Sequence, residues 1–473
     1  MKKLSMSFCL IFGIYSVGYG ENWNGRAQQQ LQNAKLYSQI DQKAKNVILM
    51  IGDGMSVATI TAARIYDGQL QEKKGESHKL ALENLPYMAM SKTYSANMQT
   101  TDSAAAATAI MTGVKTNNGI IAGSDMVKLG ACSTLIDNKA QTLFEIAAKK
   151  GLSVGIVTTT RLTHATPAAS YAHSADRDWE SDQDMPDSAK QEGCTDIARQ
   201  FVEFNKGKGI NVALGGGESK FRLKSSGGQR SDEDLIQRWQ MSYPEGVYVE
   251  TKAQLENINN NTKHLFGLFS NDHMPYVLEK EAVQNRPSLA QMTKKAIEVL
   301  SNNKNGYILI VEGGRIDHAH HANLAKYALA ETIAFDDAVD VAKTMTDAKE
   351  TLLIVTADHS QAMAMSGYAK RGNPILGVAE QKDNNGNAYT TLTYTTGSGD
   401  GTHPDGLNNK TAQNDDYRQK ANIPLGSATH SGEDVVILAQ GPGASLFQGI
   451  VENYFIFHVI NEALGFTPES RAV

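Results

Sequence analysis

Positive charge is in short supply in this chain. Lys and Arg number 45 against 51 Asp and Glu, a formal net charge of −6, which removes any electrostatic reason to expect nucleic acid as a partner. Any anion that such a chain binds must be met by local charge. Beyond the first twenty residues, apolar runs long enough to span a bilayer are missing. The C-terminal stretch Thr467-Pro468-Glu469-Ser470-Arg471-Ala472-Val473 carries no hydrophobic tail for a lipid anchor. Neither an internal repeat nor a low-complexity tract is present.

Cysteine is scarce too, with 3 in the 473 residues. Residues 1–20 have the pattern of a signal peptide: basic Lys2 and Lys3, an apolar run from Phe8 to Val17, then small Gly18 and Gly20 before Glu21. Periplasmic or secreted localisation follows, and Cys9 leaves with the leader. Cys132 and Cys194 remain as an even pair in a chain bound for an oxidising compartment, where a disulfide is expected. Spacing alone leaves two free buried thiols open.

Residues 27–45 are polar, rich in Gln and Lys, and read as an exposed arm or N-terminal helix. A different pattern then recurs. A short apolar run ends in a loop crowded with acidic, hydroxyl or imidazole side chains: Asn46 to Ile51 before Gly52-Asp53-Gly54, Ser153 to Thr158 before Arg161 to Pro167, Tyr307 to Val311 before Glu312 and Asp317 to His321, and Leu352 to Val355 before Asp358-His359. Continuous apolar runs suit parallel strands covered on both faces. Helical stretches such as Thr142 to Lys149 and Leu289 to Leu300 lie between them. The expected fold is α/β, with a doubly wound, mostly parallel central sheet flanked by helices, whose ligands bind at the carboxyl ends of the strands. Residues 367–427, rich in Gly, Asn and Asp, read as a small insertion between two core strands, with 389–394 alternating like an exposed strand. The domain organisation is a leader at 1–20 and one catalytic domain over 21–473.

Asp53 sits between two glycines that leave a cation room to approach, although Gly-Asp-Gly is also a common turn. In Thr101-Asp102-Ser103-Ala104-Ala105-Ala106-Ala107, the alanines favour helix and place Ser103 at a helix start. A capping serine is the structural reading; a nucleophile beside a helix N-terminus is the chemical one. No histidine base follows in sequence, so coordination of the serine oxygen to a metal would be needed to activate it. Asp317 and His321, four apart, share one helical face. Glu312, Asp358-His359 and His430 bring the inventory to four carboxylates and three histidines, enough for two zinc-like sites and one oxygen-rich, magnesium-like site.

These segments resemble the alkaline phosphatase family, especially its animal-type branch, over nearly all of the chain after the leader. The matching residues are Gly52-Asp53-Gly54-Met55, Asp102-Ser103-Ala104, His164-Ala165-Thr166-Pro167, Val311-Glu312-Gly313-Gly314-Arg315-Ile316-Asp317-His318, Ala357-Asp358-His359 and Thr429-His430-Ser431-Gly432-Glu433-Asp434. The resemblance implies two Zn²⁺ and one Mg²⁺ per chain. Asp317, His321 and His430 would hold one zinc; Asp53, Asp358 and His359 would hold the other, beside Ser103. Asp53 would also reach the magnesium, together with Thr166 and Glu312. Arg177 matches the arginine that grips phosphate, and His164 and His318 match positions that tune metal preference and turnover.

The implied activity is hydrolysis of a broad range of phosphate monoesters through a phosphoserine at Ser103, with an alkaline optimum. Arg177 and the compact Asp102-Ser103-Ala104 segment favour a monoester dianion over a diester or sulfate ester. A Cys132–Cys194 disulfide, a homodimer with the N-terminal helix reaching over the partner, and a crown-like role for 367–427 are also implied. The chain is expected to be a soluble exported form without a membrane anchor. The branch's additional calcium site uses a glutamate after Gly-Leu-Phe; here Ser270 follows Phe269 and Asn285-Arg286 stands at the downstream aspartate position, so no fourth metal is expected.

Overall fold

The computed structural model describes residues 22–35, 42–398 and 406–466; the expected leader, 1–20, lies outside the described residues. Ten strands form the central sheet: β1 (Asn46–Gly52), β2 (Tyr87–Lys92), β3 (Ser153–Arg161), β4 (Val212–Gly216), β5 (Val247–Val249), β6 (Leu265–Leu268), β7 (Tyr307–Gly313), β8 (Thr351–Thr356), β9 (Val435–Gln440) and β10 (Ile450–Glu452). Their order is β10-β2-β9-β8-β1-β7-β3-β4-β6-β5. Every neighbouring pair is parallel except those of β9, which runs against both β8 and β2.

The four apolar runs singled out in the sequence, β8, β1, β7 and β3, lie side by side at the centre of this sheet. Alternation explains why they read as unbroken apolar stretches. Val47, Leu49 and Ile51 enter the core on one face of β1, while Ile48 and Met50 enter the core on the other. Helices cover both layers. The helix Leu289–Leu300 forms as expected, capped by Ser288 and Gln291, and Leu143–Lys149 starts from a capping box on Thr142 and Glu145.

The insertion between β8 and β9 contains a three-stranded sheet of Met363–Met365, Leu392–Gly397 and Ala421–Pro424, and a hairpin of Val378–Lys382 with Ala388–Thr390. The single exposed strand expected at 389–394 is split at Thr391. Leu392 and Tyr394 are fully buried in the hydrophobic core, and the Tyr394 hydroxyl reaches His320 Nδ1 at 2.8 Å.

Of the two readings of the N-terminal segment, exposed arm or helix, the helix forms: Trp23–Lys35, packed on the body of the protein. Its Trp23, Ala27 and Leu31 recur every four residues and are buried, with Trp23 lying 5.9 Å from the Tyr454 ring. Three apolar residues among glutamines were enough to dock one face. Cys132 and Cys194 form a disulfide with Cα atoms 5.9 Å apart. No described helix is long and apolar enough to cross a membrane.

Candidate active site

Register brings the loops together. Ile51 pairs with both Glu312 and Thr356, and Glu312 pairs with Thr158, so the carboxyl ends of β8, β1, β7 and β3 finish level. Asp53, Glu312, Asp358 and the loop carrying His164 and Thr166 therefore emerge at one edge. The antiparallel β9 contributes differently. Its amino end lies at that same edge, so His430, just upstream of it, arrives from the opposite chain direction.

Two clusters form there. Asp317 and His321, one turn apart on the helix Arg315–His321, meet at 3.1 Å (Oδ2 to Nε2), and His430 Nε2 lies 3.5 Å from Asp317 Oδ1. In the second, His359 Nε2 lies 3.4 Å from Asp53 Oδ1 and 3.3 Å from Asp358 Oδ2. The stacked rings of His359 and His430, 3.6 Å apart, join the two. A third group, Asp53, His164 and Glu312, also gathers ligand atoms within one metal's reach. Thr166 is fully buried beside it.

Ser103 is the first residue of the helix Ser103–Thr112, and the cap is Asp102, whose Oδ1 accepts from Ala105 N at 3.0 Å. The serine is thus released from capping. Its Oγ lies 3.2 Å from His359 Nε2, a residue of the group that the resemblance places beside Ser103. Arg177 Nη1 donates to Asp102 Oδ2 at 3.0 Å, and its Nη2 donates to His164 Nε2 at 3.2 Å. Asp102 also accepts from Gly119 N, so one carboxylate ties the helix start, a loop and the arginine together.

The electrostatics call for cations. Burial, then repulsion from Asp358, raises Asp53 well above the usual carboxylate range. Burial pushes Glu312 up to about 7 and Asp358 up to about 6. Burial also opposes ionisation of Asp317, but the His321 imidazole outweighs it and holds this carboxyl well below its ordinary value. Burial lowers His359 and His430 to about 4, which keeps both imidazoles neutral with lone pairs available.

The donor set fits metal ions. Both oxygens of Asp53, Asp358 Oδ2, Glu312 Oε1 and Thr166 Oγ1 are buried without a hydrogen-bond partner. Such orphaned acceptors are costly unless a cation meets them. The expected residues for all three sites therefore converge, with His164 closer to the oxygen-rich group than a merely tuning position requires.

Several neighbours were not singled out in the sequence. Thr158 and Thr160 donate to Glu312 Oε2, and Gln361 donates to Asp317 Oδ1. They occupy ordinary strand positions, so only the register exposes them. His273 packs edge-on against His164 and His318, at 5.3 and 4.3 Å. Arg286 Nε donates to the Phe269 carbonyl at 2.7 Å, which puts a guanidinium where the sequence departs from the expected calcium pattern.

Comparison with known proteins places this geometry in context. The family described as alkaline phosphatase matches residues 44–466. The chain is 41% identical over 469 residues to the alkaline phosphatase, tissue-nonspecific isozyme, of Gallus gallus, covering 95% of this chain and 90% of that protein. Similarity to the isozyme of Rattus norvegicus is 41% over 460 residues, covering 93% of this chain and 87% of that protein. Among solved structures, the alkaline phosphatase of Thermus thermophilus superposes with a TM-score of 0.68 at 26% identity, covering 94% of this chain and 95% of the other.

Proposed function

Because this chain belongs to the alkaline phosphatase family, and so hydrolyses phosphate monoesters with the help of metal ions, we propose that a phosphoserine on Ser103 carries the reaction. Asp317, His321 and His430 would hold one Zn²⁺; Asp53, Asp358 and His359 would hold a second; Asp53, Glu312 and Thr166 would hold Mg²⁺, with His164 adjacent. When bound, these ions supply the positive charge that lowers the pKa of a serine hydroxyl and of water and that neutralises a leaving oxygen.

The chain's own residues do the rest. Arg177 presents two N–H groups to two phosphate oxygens, and its bond to Asp102 keeps the guanidinium fixed while it does so. The helix start at Ser103 points backbone N–H groups toward the phosphoryl group. Ser103 Oγ attacks phosphorus in line as the bond to the ester oxygen breaks, and the alcohol departs. Water then attacks the phosphoserine from the vacated side, the P–Oγ bond breaks, and inorganic phosphate leaves. Two inversions retain configuration at phosphorus. An alkaline optimum follows from the need to deprotonate both serine and water.

The observation that supports this reading most directly is Ser103 Oγ: released from capping, 3.2 Å from His359 and beside buried carboxylate oxygens that lack partners. Brief reaction with labelled substrate at mildly acidic pH should leave phosphate covalently on the wild type and none on Ser103→Ala. Label retained on the variant would sink the assignment. Metal analysis of the purified protein should return two zinc and one magnesium per chain.

Residues 21–473 are read as one catalytic domain exported by the leader, periplasmic or secreted. N-terminal sequencing of the exported protein should begin at Glu21. The insertion at 367–427 exposes Tyr368, Ile423 and Leu425, apolar side chains suited to a homodimer contact through a crown. Analytical ultracentrifugation should give twice the chain mass.

A further inference from the structure

Positive charge collects at the edge of the sheet away from the catalytic loops. Six adjacent strands, β8, β1, β7, β3, β4 and β6, run parallel with their amino ends at that edge. An exposed lysine stands just ahead of each: Lys349, Lys45, Lys304, Lys150, Lys208 and Lys263, in that order. The register sets these lead-in segments side by side, because Asn46 pairs with Thr351, Ser153 with Tyr307, and Val212 with both Gly155 and Leu265. Hydrogen bonds join them as well. Lys45 N donates to the Glu350 carbonyl at 2.8 Å, Ser153 N to the Gly306 carbonyl at 3.1 Å, and Asn211 Nδ2 to the Lys263 carbonyl at 3.2 Å. At ~4.8 Å between neighbouring strands, the row spans roughly 24 Å.

The charge there is one-sided. Segments 42–45, 149–152, 203–211, 257–264, 301–306 and 346–350 together hold nine lysines, three acids and no arginine. Of the acids, Glu203 is already held by Arg199 and Arg238, at 3.3 and 3.0 Å, and Glu350 sits 3.8 Å from Lys45. Among the described residues, Lys149, Lys150, Lys206, Lys208, Lys304 and Lys349 have no ion-pair partner. The chain as a whole carries −6, so this edge opposes the net charge of the molecule.

We propose that this edge is an interaction surface for an anionic phospholipid bilayer, on which the protein adsorbs reversibly with its catalytic loops turned away. Lysine is a compact point charge without the planar fork that selects individual phosphates, so the row suits a diffuse negative surface. Lipid headgroups diffuse within their leaflet and gather beneath cations at whatever spacing the strands impose; each lysine near such a surface adds to the attraction. The contact is electrostatic, needs no spanning helix, and weakens with salt. β1 is seven residues long, which separates the lysine row from the Asp53 loop by roughly 23 Å. Substrate therefore reaches the catalytic loops of the adsorbed protein unhindered.

The experiment sediments the metal-loaded protein with vesicles of phosphatidylcholine alone and with vesicles containing about 30% phosphatidylglycerol, at about 50 mM salt. The bound fraction should be about fivefold or more higher on the anionic vesicles, and should fall to the phosphatidylcholine level at about 0.5 M salt. Pelleted protein should keep its kcat/KM for p-nitrophenyl phosphate to within about twofold of the free protein. Combining Lys149→Gln, Lys150→Gln, Lys206→Gln and Lys208→Gln should lower vesicle binding about tenfold or more and leave that kcat/KM unchanged. A second variant, Lys45→Gln with Lys304→Gln and Lys349→Gln, should weaken binding from the other half of the row, and decides if the first fails to fold. Equal sedimentation with both vesicles, binding undiminished in the folded variants, or a pellet silent towards substrate overturns the proposal. So does tighter capture by soluble heparin at matched charge concentration, which would make the edge a polymer site.

Discussion

Stripping the bound metal should cost this protein more stability at alkaline pH than at acid pH. Asp53, Glu312, Asp317 and Asp358 are all buried. Without cations, burial moves Glu312 from 4.5 to about 7 and Asp358 from 3.8 to about 6, and Asp53 moves in the same direction. An acid with a raised folded-state pKa keeps a proton that the unfolded chain releases. The stability tied to that proton is complete below the unfolded value and is lost as pH climbs through the folded one. Asp317, held low, has the opposite sign, but its contribution is already complete above the unfolded value and adds no slope in this window.

One pKa unit corresponds to about 1.4 kcal/mol, so a shift of about two units is worth roughly 3 kcal/mol per group. Neighbouring carboxyls titrate together, which brings the total to about 3–6 kcal/mol between pH ~4 and pH ~7.5. At about 2 cal/mol/K of unfolding entropy per residue, a chain of this size moves by about 1 °C per kcal/mol. The metal-free protein should therefore lose roughly 3–6 °C in Tm between pH ~4 and pH ~7.5, beyond any change in the loaded protein. Calorimetry with and without chelator across that range measures it. Parallel curves for stripped and loaded protein would refute the reasoning, because they would mean that the carboxyl cluster does not carry the protons assigned to it.

Three further outcomes follow. Replacing Ser103 by Ala should lower kcat by about 10³-fold or more, with metal content unchanged, as checked by steady-state assay and metal analysis. Arg177→Ala removes a bidentate, carboxylate-anchored contact and should lower kcat/KM by about 30-fold or more, with inhibition by inorganic phosphate weakened in parallel. Cys132→Ser opens a loop whose ends are 62 residues apart. The loss should be about 4 kcal/mol in the chain-entropy picture, measured by denaturant unfolding; no change would mean that the reduced chain is already constrained.

Most of the framework was legible from periodicity and loop chemistry. Four apolar runs ending in acidic or imidazole-bearing loops pointed to adjacent parallel strands because strands buried on both faces need unbroken apolar sequence. Ligand types could likewise be read from Asp317 and His321, whose spacing is one helical turn. Contacts set by three-dimensional register were not legible: the hydroxyls of Thr158 and Thr160 on Glu312, and the His273 ring. For residues 27–45 the sequence left an exposed arm or an N-terminal helix open; the helix formed, and its docking face was hard to read because it consists of three apolar residues among polar ones. At 389–394 alternation was visible, but the break at Thr391 and the buried hydroxyl of Tyr394 depend on the neighbouring His320.

The reversed strand β9 has a consequence for how the enzyme comes into being. Its lead-in residue, His430, reaches the catalytic edge only once β9 has inserted between β8 and β2. A nascent polypeptide emerging amino end first would have Ser103 and Asp53 in place long before their final imidazole neighbour exists. Catalytic competence is then a late event, arriving with closure of the sheet. A product truncated ahead of residue 430 would lack β9, and with it the strand that joins β8 to β2, and would be silent.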